Sequence, residues 1–432
     1  MPDPFPYKSQ LEKPVIGLES EFKVFIDDVE SLPENVWRTP AGLVDRPLLK
    51  RTNKSLQLPT GGALYFDGGV IEVVTPVIEI ARQCTARAVR SLWEQIEFLR
   101  EQLDRWEARE GRRARLQAFS CHVNISFELP REERGRDRTI QKLALLLAHL
   151  LPVPVIVAGL NRRSTGIGVR PRRERIEVTS DFVPDPGLMA ATVALIVGIV
   201  REVITWPSYR LSELDARGVP RIAGLEPGRH PARKGWVVRD FHFPQNPFTG
   251  ELPTESLRAM ARKTVMIFSD AIRRVSDPFS YHLLLALVRG ETPSLLDLRD
   301  RPAEYDDVGR SIRWGMVLPE LRNFQALMPH AGSPRRRRAD LEEKLAPPWR
   351  GETRDAPRRE RRARPPIPSP RLTRSAYEKV FLQLGRRKPL RLGRELLTPV
   401  RVKGWYHSVF RTPKGEERLL SIDQLLQHWV QL

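Results

Sequence analysis

Cysteine is nearly absent: Cys84 and Cys121 are the only two in 432 residues, and they form no CxxC pair. Two isolated thiols build neither a disulfide scaffold nor a zinc knuckle, and they point to a reducing, cytoplasmic compartment. No GxxxxGK[ST] occurs, which excludes a P-loop, and no complete GxGxxG supports a dinucleotide fold. HExxH and GxSxG are missing as well, which removes zincins and α/β-hydrolases. The amino-terminal MPDPFPYKSQLEKP has no basic stretch leading into an apolar one, so no signal peptide is expected. One apolar run, residues 143–160, is long enough to raise a membrane span, but His149, Pro152 and Pro154 interrupt it. It reads instead as a buried helix over 143–151 entering a buried strand over 153–160.

What the chain has in excess is positive charge. The formal net charge is +19, which invites a nucleic-acid reading. Much of that charge is local, since residues 331–373 hold 13 Lys or Arg against 6 Asp or Glu. The same segment is rich in Pro and poor in residues that could pack, so it reads as a linker or mobile arm. Trp349 is its one aromatic, which argues against base stacking along a single strand. Hydrophobic content of 41% and a length of 432 residues allow one large domain with its own core and something smaller. The boundaries expected are 1–330, the arm 331–373, and a small hairpin-helix domain over 374–432.

Alternating and helical patterns place the elements. Strands are expected over 14–26, 63–66, 71–75, 116–128 and 175–182, with Asp67, Gly68 and Gly69 turning between the second and third. Val89, Leu92, Trp93, Ile96, Leu99, Leu103 and Trp106 recur at helical spacing and read as a core-facing stripe. Further helices are expected over 188–204, 256–275 and 281–288, and residues 161–171 read as a Gly- and Arg-rich loop. Near the end, 400–410 and 417–420 flank the turn at 412–415, with a short helix over 423–430.

Five side chains in these strands carry the chemistry: Glu19 and Glu21 in VIGLESEFKVFI, Glu72 in VIEVVTP, His122 in SCHVNIS and Glu177 in RIEVTSDF. Alternation puts Glu19 and Glu21 on the same side of their strand, where two carboxylates repel unless a cation lies between them. Oxygen ligands with one imidazole suit Mg²⁺ or Mn²⁺. Each residue alone also has an ordinary reading: an exposed ExE, a hydrogen-bonded core histidine, a Glu177 paired with Arg175. Their conjunction, each in mid-strand, carries the metal reading. Arg162, Arg163, Arg170, Arg172, Arg173 and Arg175 surround the stretch 164–168 and offer either an arginine clamp for a triphosphate or an exposed basic loop. Asp67 sits at a turn tip, where Asp is common for local reasons, yet it precedes the Glu72 strand and could serve as a general base.

With those segments assembled, the chain resembles the glutamine synthetase-like carboxylate–amine ligase superfamily. VIGLESEF resembles its first metal strand and SCHVNIS its metal-histidine strand. NRRSTGIGVRP with RIEVTSDFVPDPGLMAATVALIVGI resembles its arginine loop, Arg-x-Glu strand and buried helix. TGGALYFDGGVIEVVTP, CHVN and the tail WYHSVFRTPKGEERLLSIDQLLQHWV look most like the Pup–protein ligase and depupylase branch of proteasome accessory factors. The resemblance implies an α+β fold, an antiparallel sheet cradle packed by helices, with a small C-terminal domain. It implies ATP with Mg²⁺ or Mn²⁺, Glu19, His122 and Glu177 around one cation, and Glu21 and Glu72 around the other. Arg163, Arg170 and Arg175 would face phosphate, and Asp67 would act as base. The partners implied are a carboxylate donor, such as a small protein modifier, and an amine acceptor, such as a protein lysine. Departures are Val123 between His122 and Asn124, Thr179 where glutamine synthetase has an arginine, and residues 206–330, which match no part of the family.

Three activities therefore remain in view. The first is an amide- or isopeptide-forming ligase, favoured because the stretch from Glu21 to Asp67 is short. The second is an amide or isopeptide hydrolase on the same scaffold. The third is a non-catalytic nucleic-acid binder using the basic arm.

Overall fold

The computed structural model describes residues 11–128, 140–164, 166–172, 174–222, 226–230, 235–239, 254–322 and 372–429. The Arg/Pro-rich arm expected over 331–373 lies outside the described residues except for its last two.

The fold is α+β and is organised by one large, almost wholly antiparallel sheet. Its amino-terminal strands are β1 (Val15–Ile26), β2 (Val29–Ser31), β3 (Leu49–Thr52), β4 (Ser55–Gln57), β5 (Ala63–Asp67), β6 (Val70–Val74) and β7 (Ile78–Glu79). Then come β8 (Ala114–Ser126), β9 (Gly166–Arg172), β10 (Arg175–Ser180), β11 (Gly228–His230) and β12 (Gly235–Arg239). The C-terminal part adds β13 (Leu390–Leu392), β14 (Glu395–Lys403), β15 (His407–Arg411) and β16 (Glu417–Ser421). Neighbours run β11-β12-β9-β10-β8-β1-β6-β5-β4-β3-β14-β15-β16, with β2 and β7 beside β1 and β13 beside β14. Among the described residues the one parallel pairing, Arg401 opposite Lys50, joins the C-terminal strands to the rest.

Why the centre of the sheet holds is plain from β1, whose burial alternates perfectly along twelve residues. Ile16, Leu18, Phe22, Val24 and Ile26 face the core, and the other face is left for polar side chains. Helices cover the apolar face. They are α1 (Pro33–Trp37), α2 (Pro40–Leu43), α3 (Cys84–Glu110), α4 (Ile140–Leu150), α5 (Pro152–Gly159), α6 (Pro186–Ile204), α7 (Ser212–Ala216), α8 (Thr254–Ile267), α9 (Ser269–Val275), α10 (Pro278–Val288), α11 (Ala376–Gly385) and α12 (Ile422–Trp429). Every residue of the α3 stripe read from the sequence is buried. A second core forms around Tyr377, Phe381, Leu397, Phe410 and Ile422, and takes in Leu11 and Leu49 from the amino-terminal part.

Four expectations are corrected. Residues 153–160 form helix α5, not a strand, bent 56° from α4. Pro152 starts a new helix at its first turn, and a short, wholly apolar run carries no periodicity to separate the two states. The supposed loop at 161–171 is mostly strand β9, paired residue by residue with β10. Gly168 fits there because a Cβ would meet Thr179 Oγ1 at 2.4 Å. The helix expected over 256–275 is two helices broken at Phe268. The strand expected over 400–410 is divided by a turn at Gly404, which has φ +63°.

α6 is long and apolar enough to cross a membrane by length and composition, and 89% of that stretch is buried inside the fold. Asp185 caps it by accepting from Leu188 N–H at 2.9 Å.

Candidate functional site

Register converts strand positions into a cluster. Glu19 lies directly opposite His122 across β1–β8, and Glu21 lies opposite Glu72 across β1–β6. Thr179 faces His122 from β10, and Glu177 faces Asn124 two residues further along. Because cross-strand partners share a face, the four glutamates and the imidazole converge on the polar side of the sheet. At the edge of that face, Gly68 and Gly69 turn β5 into β6 with φ of +57° and +93°. Such a two-residue turn needs positive φ at both places, which glycine supplies. The turn brings Asp67 to within 4.8 Å of Glu21 and Glu72, ligand atom to ligand atom.

The bonds within the cluster are specific. His122 Nδ1 lies 3.2 Å from Glu19 Oε2, and its Nε2 lies 3.1 Å from Ser120 Oγ and 3.2 Å from an Arg170 nitrogen. An Nδ1–H donated to Glu19 leaves the Nε2 lone pair to accept from Arg170. Ser120 donates to Glu21 Oε2 at 2.5 Å. Phe119 is the extra residue of a β-bulge at this point, because Glu21 pairs with Ser120 while Phe22 pairs with Ala118. The strand end is pinned from behind by Thr75, whose Oγ1 accepts from Leu18 N–H at 2.9 Å.

Electrostatically the cluster splits in two. Burial, then the charges of Glu19, Glu21, Asp67 and Glu177, push the Glu72 carboxyl up to about 9. Glu177 behaves oppositely. Burial works to raise it, but the hydrogen bond from Arg172 and the charge of Arg170 hold it below the usual carboxylate range. Arg170 Nε and Arg172 Nε each lie 2.8 Å from its oxygens. Arg175 stands 3.9 Å from Glu177 and donates to Asn124 Oδ1 at 2.7 Å. So arginines satisfy Glu177, while the carboxylates of Glu21, Asp67 and Glu72 face one another and, among the described residues, no arginine or lysine pairs with them.

The nine residues singled out in the sequence therefore fall into groups. Glu19, Glu21, Asp67, Glu72 and His122 come together; Glu177, Arg170 and Arg175 adjoin them. Arg163 stands apart. It is exposed in the turn before β9, where its backbone N–H donates to Asn161 Oδ1, and among the described residues nothing ties its guanidinium to the acids. Arg172 takes the place by the cluster instead, because β9 is a strand and Arg170 and Arg172 share a face. Ser120 was missed, although its position two residues before His122 was the signal. Tyr65, which pairs with Glu72, gave no sequence signal.

A hard divalent cation fits this donor set. Carboxylates packed closely enough to force one of them to keep its proton are the arrangement that a cation relieves.

The class that fold and cluster define is an α+β protein with an acid, imidazole and arginine site on the open face of an antiparallel sheet. A solved structure similar to it is described as the crystal structure of the complex between Prokaryotic Ubiquitin-like Protein Pup and its ligase PafA. Identity is 12%, the match covers 97% of this chain and 93% of that one, and the TM-score is 0.44. No family model matches the chain, and no curated protein matches it.

Proposed function

We propose that this protein is an ATP- and Mg²⁺-dependent carboxylate–amine ligase that forms an amide or isopeptide bond through an acyl phosphate. The observation that carries the reading is the cluster of Glu19, Glu21, Asp67, Glu72 and His122, in which burial and neighbouring charges push Glu72 up to about 9. Glu19, His122 and Glu177 would hold one cation, and Glu21 and Glu72 the other. Bound there, Mg²⁺ would screen the carboxylates from one another and neutralise phosphate oxygens.

The chain's own residues supply the rest. Arg170 and Arg175 border the cluster and meet the charge that develops as the γ-phosphoryl passes to a substrate carboxylate oxygen, giving ADP and an acyl phosphate. Glu19 and Arg170 orient His122. Asp67 is exposed at its turn and reaches the cluster. It takes the proton from the incoming amine, whose nitrogen attacks the acyl carbon as phosphate leaves. The modifier-like carboxylate donor, the protein-lysine acceptor and the cytoplasmic setting belong to the same proposal. So does the division into a catalytic domain over 1–330 and a companion domain over 374–432.

The test is ADP formation by purified protein with Mg²⁺ and ATP, with and without candidate carboxylate donors. ADP is expected only when a donor is present, and Glu19→Gln is expected to abolish it. Asp67→Asn should keep nucleotide affinity while stopping product. Loss of ATP binding in that variant would remove the base role.

A further inference from the structure

Between β2, α1, α2 and the end of α3 lies an open hollow of about 690 Å³ that has no part in the chemistry above. Trp37 and Trp106 line it and pack edge-on, ring centroids 5.4 Å apart. Trp37 is 5% exposed, and among the described residues no acceptor takes its indole N–H. A buried donor left unpaired is costly, so this one asks for a partner. The next residue, Arg38, has φ +62° and ψ −51°, and across it Thr39 N–H donates to Trp37 O at 2.7 Å. That is a γ-turn of the strained hand, a conformation that side chains with a Cβ rarely adopt and that gathers at ligand clamps.

The charges of the hollow are otherwise taken. Glu30 pairs with Lys23 at 2.8 Å, Glu110 with Arg109 at 3.1 Å, and Arg112 with Asp27 at 2.7 Å. Arg38 is exposed, and among the described residues no carboxylate pairs with it. The hollow thus offers one cation and one N–H donor on consecutive residues, and both call for oxygen acceptors. Its place in the fold matters as well. Leu32 lines it, 52% exposed, and a Cβ on Gly69 would meet Leu32 Cδ2 at 2.8 Å. The hollow therefore adjoins the turn that carries Asp67. A small amine would need only the space at Asp67, so a recess of this size beyond Leu32 fits a longer molecule.

We propose that this hollow docks the amine acceptor, and that the acceptor is an acidic polypeptide segment. A side-chain carboxylate of the segment pairs with Arg38 and a main-chain carbonyl accepts from the Trp37 N–H, while its lysine reaches Asp67 past Leu32. The inference rests on the ligase reading above and names the kind of acceptor that it would select.

Fluorescence anisotropy with the full chain tests it, using a labelled peptide of one lysine flanked by glutamates and the same peptide with glutamines in their place. The acidic peptide should bind tighter. Arg38→Gln should weaken it by about fivefold, the worth of one exposed ion pair, and leave the glutamine peptide as it was. Trp37→Phe keeps a ring, loses the N–H and should weaken both peptides. Arg38→Gly relieves the turn, so it should melt at or above the parent and still lose the same fivefold. With a carboxylate donor, Mg²⁺ and ATP, hydroxylamine as the amine should drive ADP formation equally in the parent and in Arg38→Gln, whereas the KM for the acidic peptide should rise in the variant. Equal affinity of the parent for the two peptides, or unchanged binding in Arg38→Gln, overturns the docking site alone. A parent that prefers the acidic peptide yet forms no ADP with hydroxylamine overturns the ligase reading and not the peptide site.

Discussion

Glu72 and Glu304 are the two carboxyls that burial raises furthest toward or past neutrality, and they differ in what surrounds them. Glu72 faces other acids, so its neighbours worsen what burial begins. At neutral pH it must take up a proton to fold, and Gln removes that cost without changing shape. In metal-free buffer Glu72→Gln should therefore melt higher than the parent, and the rise in Tm that Mg²⁺ gives the parent should vanish in the variant; a Mg²⁺ response that survives would separate Glu72 from the cation site. Glu304 is raised to about 7, by burial first, while the N–H groups of Gly309, Ile312 and Ser311 pull the other way. Its folded value lies above the ordinary 4.5, so between those values the folded chain holds a proton that the unfolded chain has released. The stability this group contributes is full below about 4.5 and is lost as pH rises through 7. Glu304→Gln should flatten that part of the Tm–pH curve, measured between pH 4 and 8. At this scale the sequence was informative where alternation speaks. Glu19, Glu21, Glu72 and His122 were legible as one-faced strand residues, whereas Arg51 is placed by contacts with Gln57, Tyr65 and Gly404 that no local pattern announces.

Elements follow the same divide between local signal and distant contact. β1, the α3 stripe and the Gly68-Gly69 hairpin could be read because periodicity and turn chemistry act within a few residues. Helix α5 and strand β9 could not. Wholly apolar residues suit a buried strand or a buried helix, and Gly and Arg favour a loop until β10 pairs with them. Helix α6 shows how tight the interior contacts are. A Cβ on Gly198 would lie 2.5 Å from Ile272 Cα and 2.8 Å from its backbone nitrogen in α9. Backbone cannot step aside as a flexible side chain can. Gly198→Ala should therefore push α6 and α9 apart and cost about 1–3 kcal/mol, read from urea unfolding, despite alanine's better helix propensity.

Across the whole molecule, the question is what locks the C-terminal segment to the rest, given that among the described residues a single pair, Arg401 opposite Lys50, joins their strands. The second core, which takes in Leu11 and Leu49, and the Arg51 bond to Gly404 are part of the answer, and a buried ion pair adds to them. Arg87 of α3 donates Nε to both oxygens of Glu378, at 3.0 and 2.9 Å, and one terminal nitrogen at 2.6 Å. The same nitrogen reaches Glu94 at 2.9 Å, and Arg374 adds a bond to Glu378 at 2.8 Å. Glu378 has no exposed surface and also completes the capping box that starts α11 with Ser375. A buried carboxylate that loses its main partner is costly, and with Arg374 still beside Glu378 the loss falls below the roughly 3–5 kcal/mol of a wholly unpaired charge. Arg87→Ala should thus raise hydrogen exchange across α11, β14 and β15 while amides of β1 and β8 stay protected. Replacing both partners with apolar residues, Arg87→Met with Glu378→Leu, should recover part of the stability, because no buried carboxylate is left without its arginine, while the lost capping box of α11 keeps it below the parent. If Arg87→Ala instead loosens β1 and β8 equally, the ion pair supports the entire fold and the C-terminal segment does not open by itself.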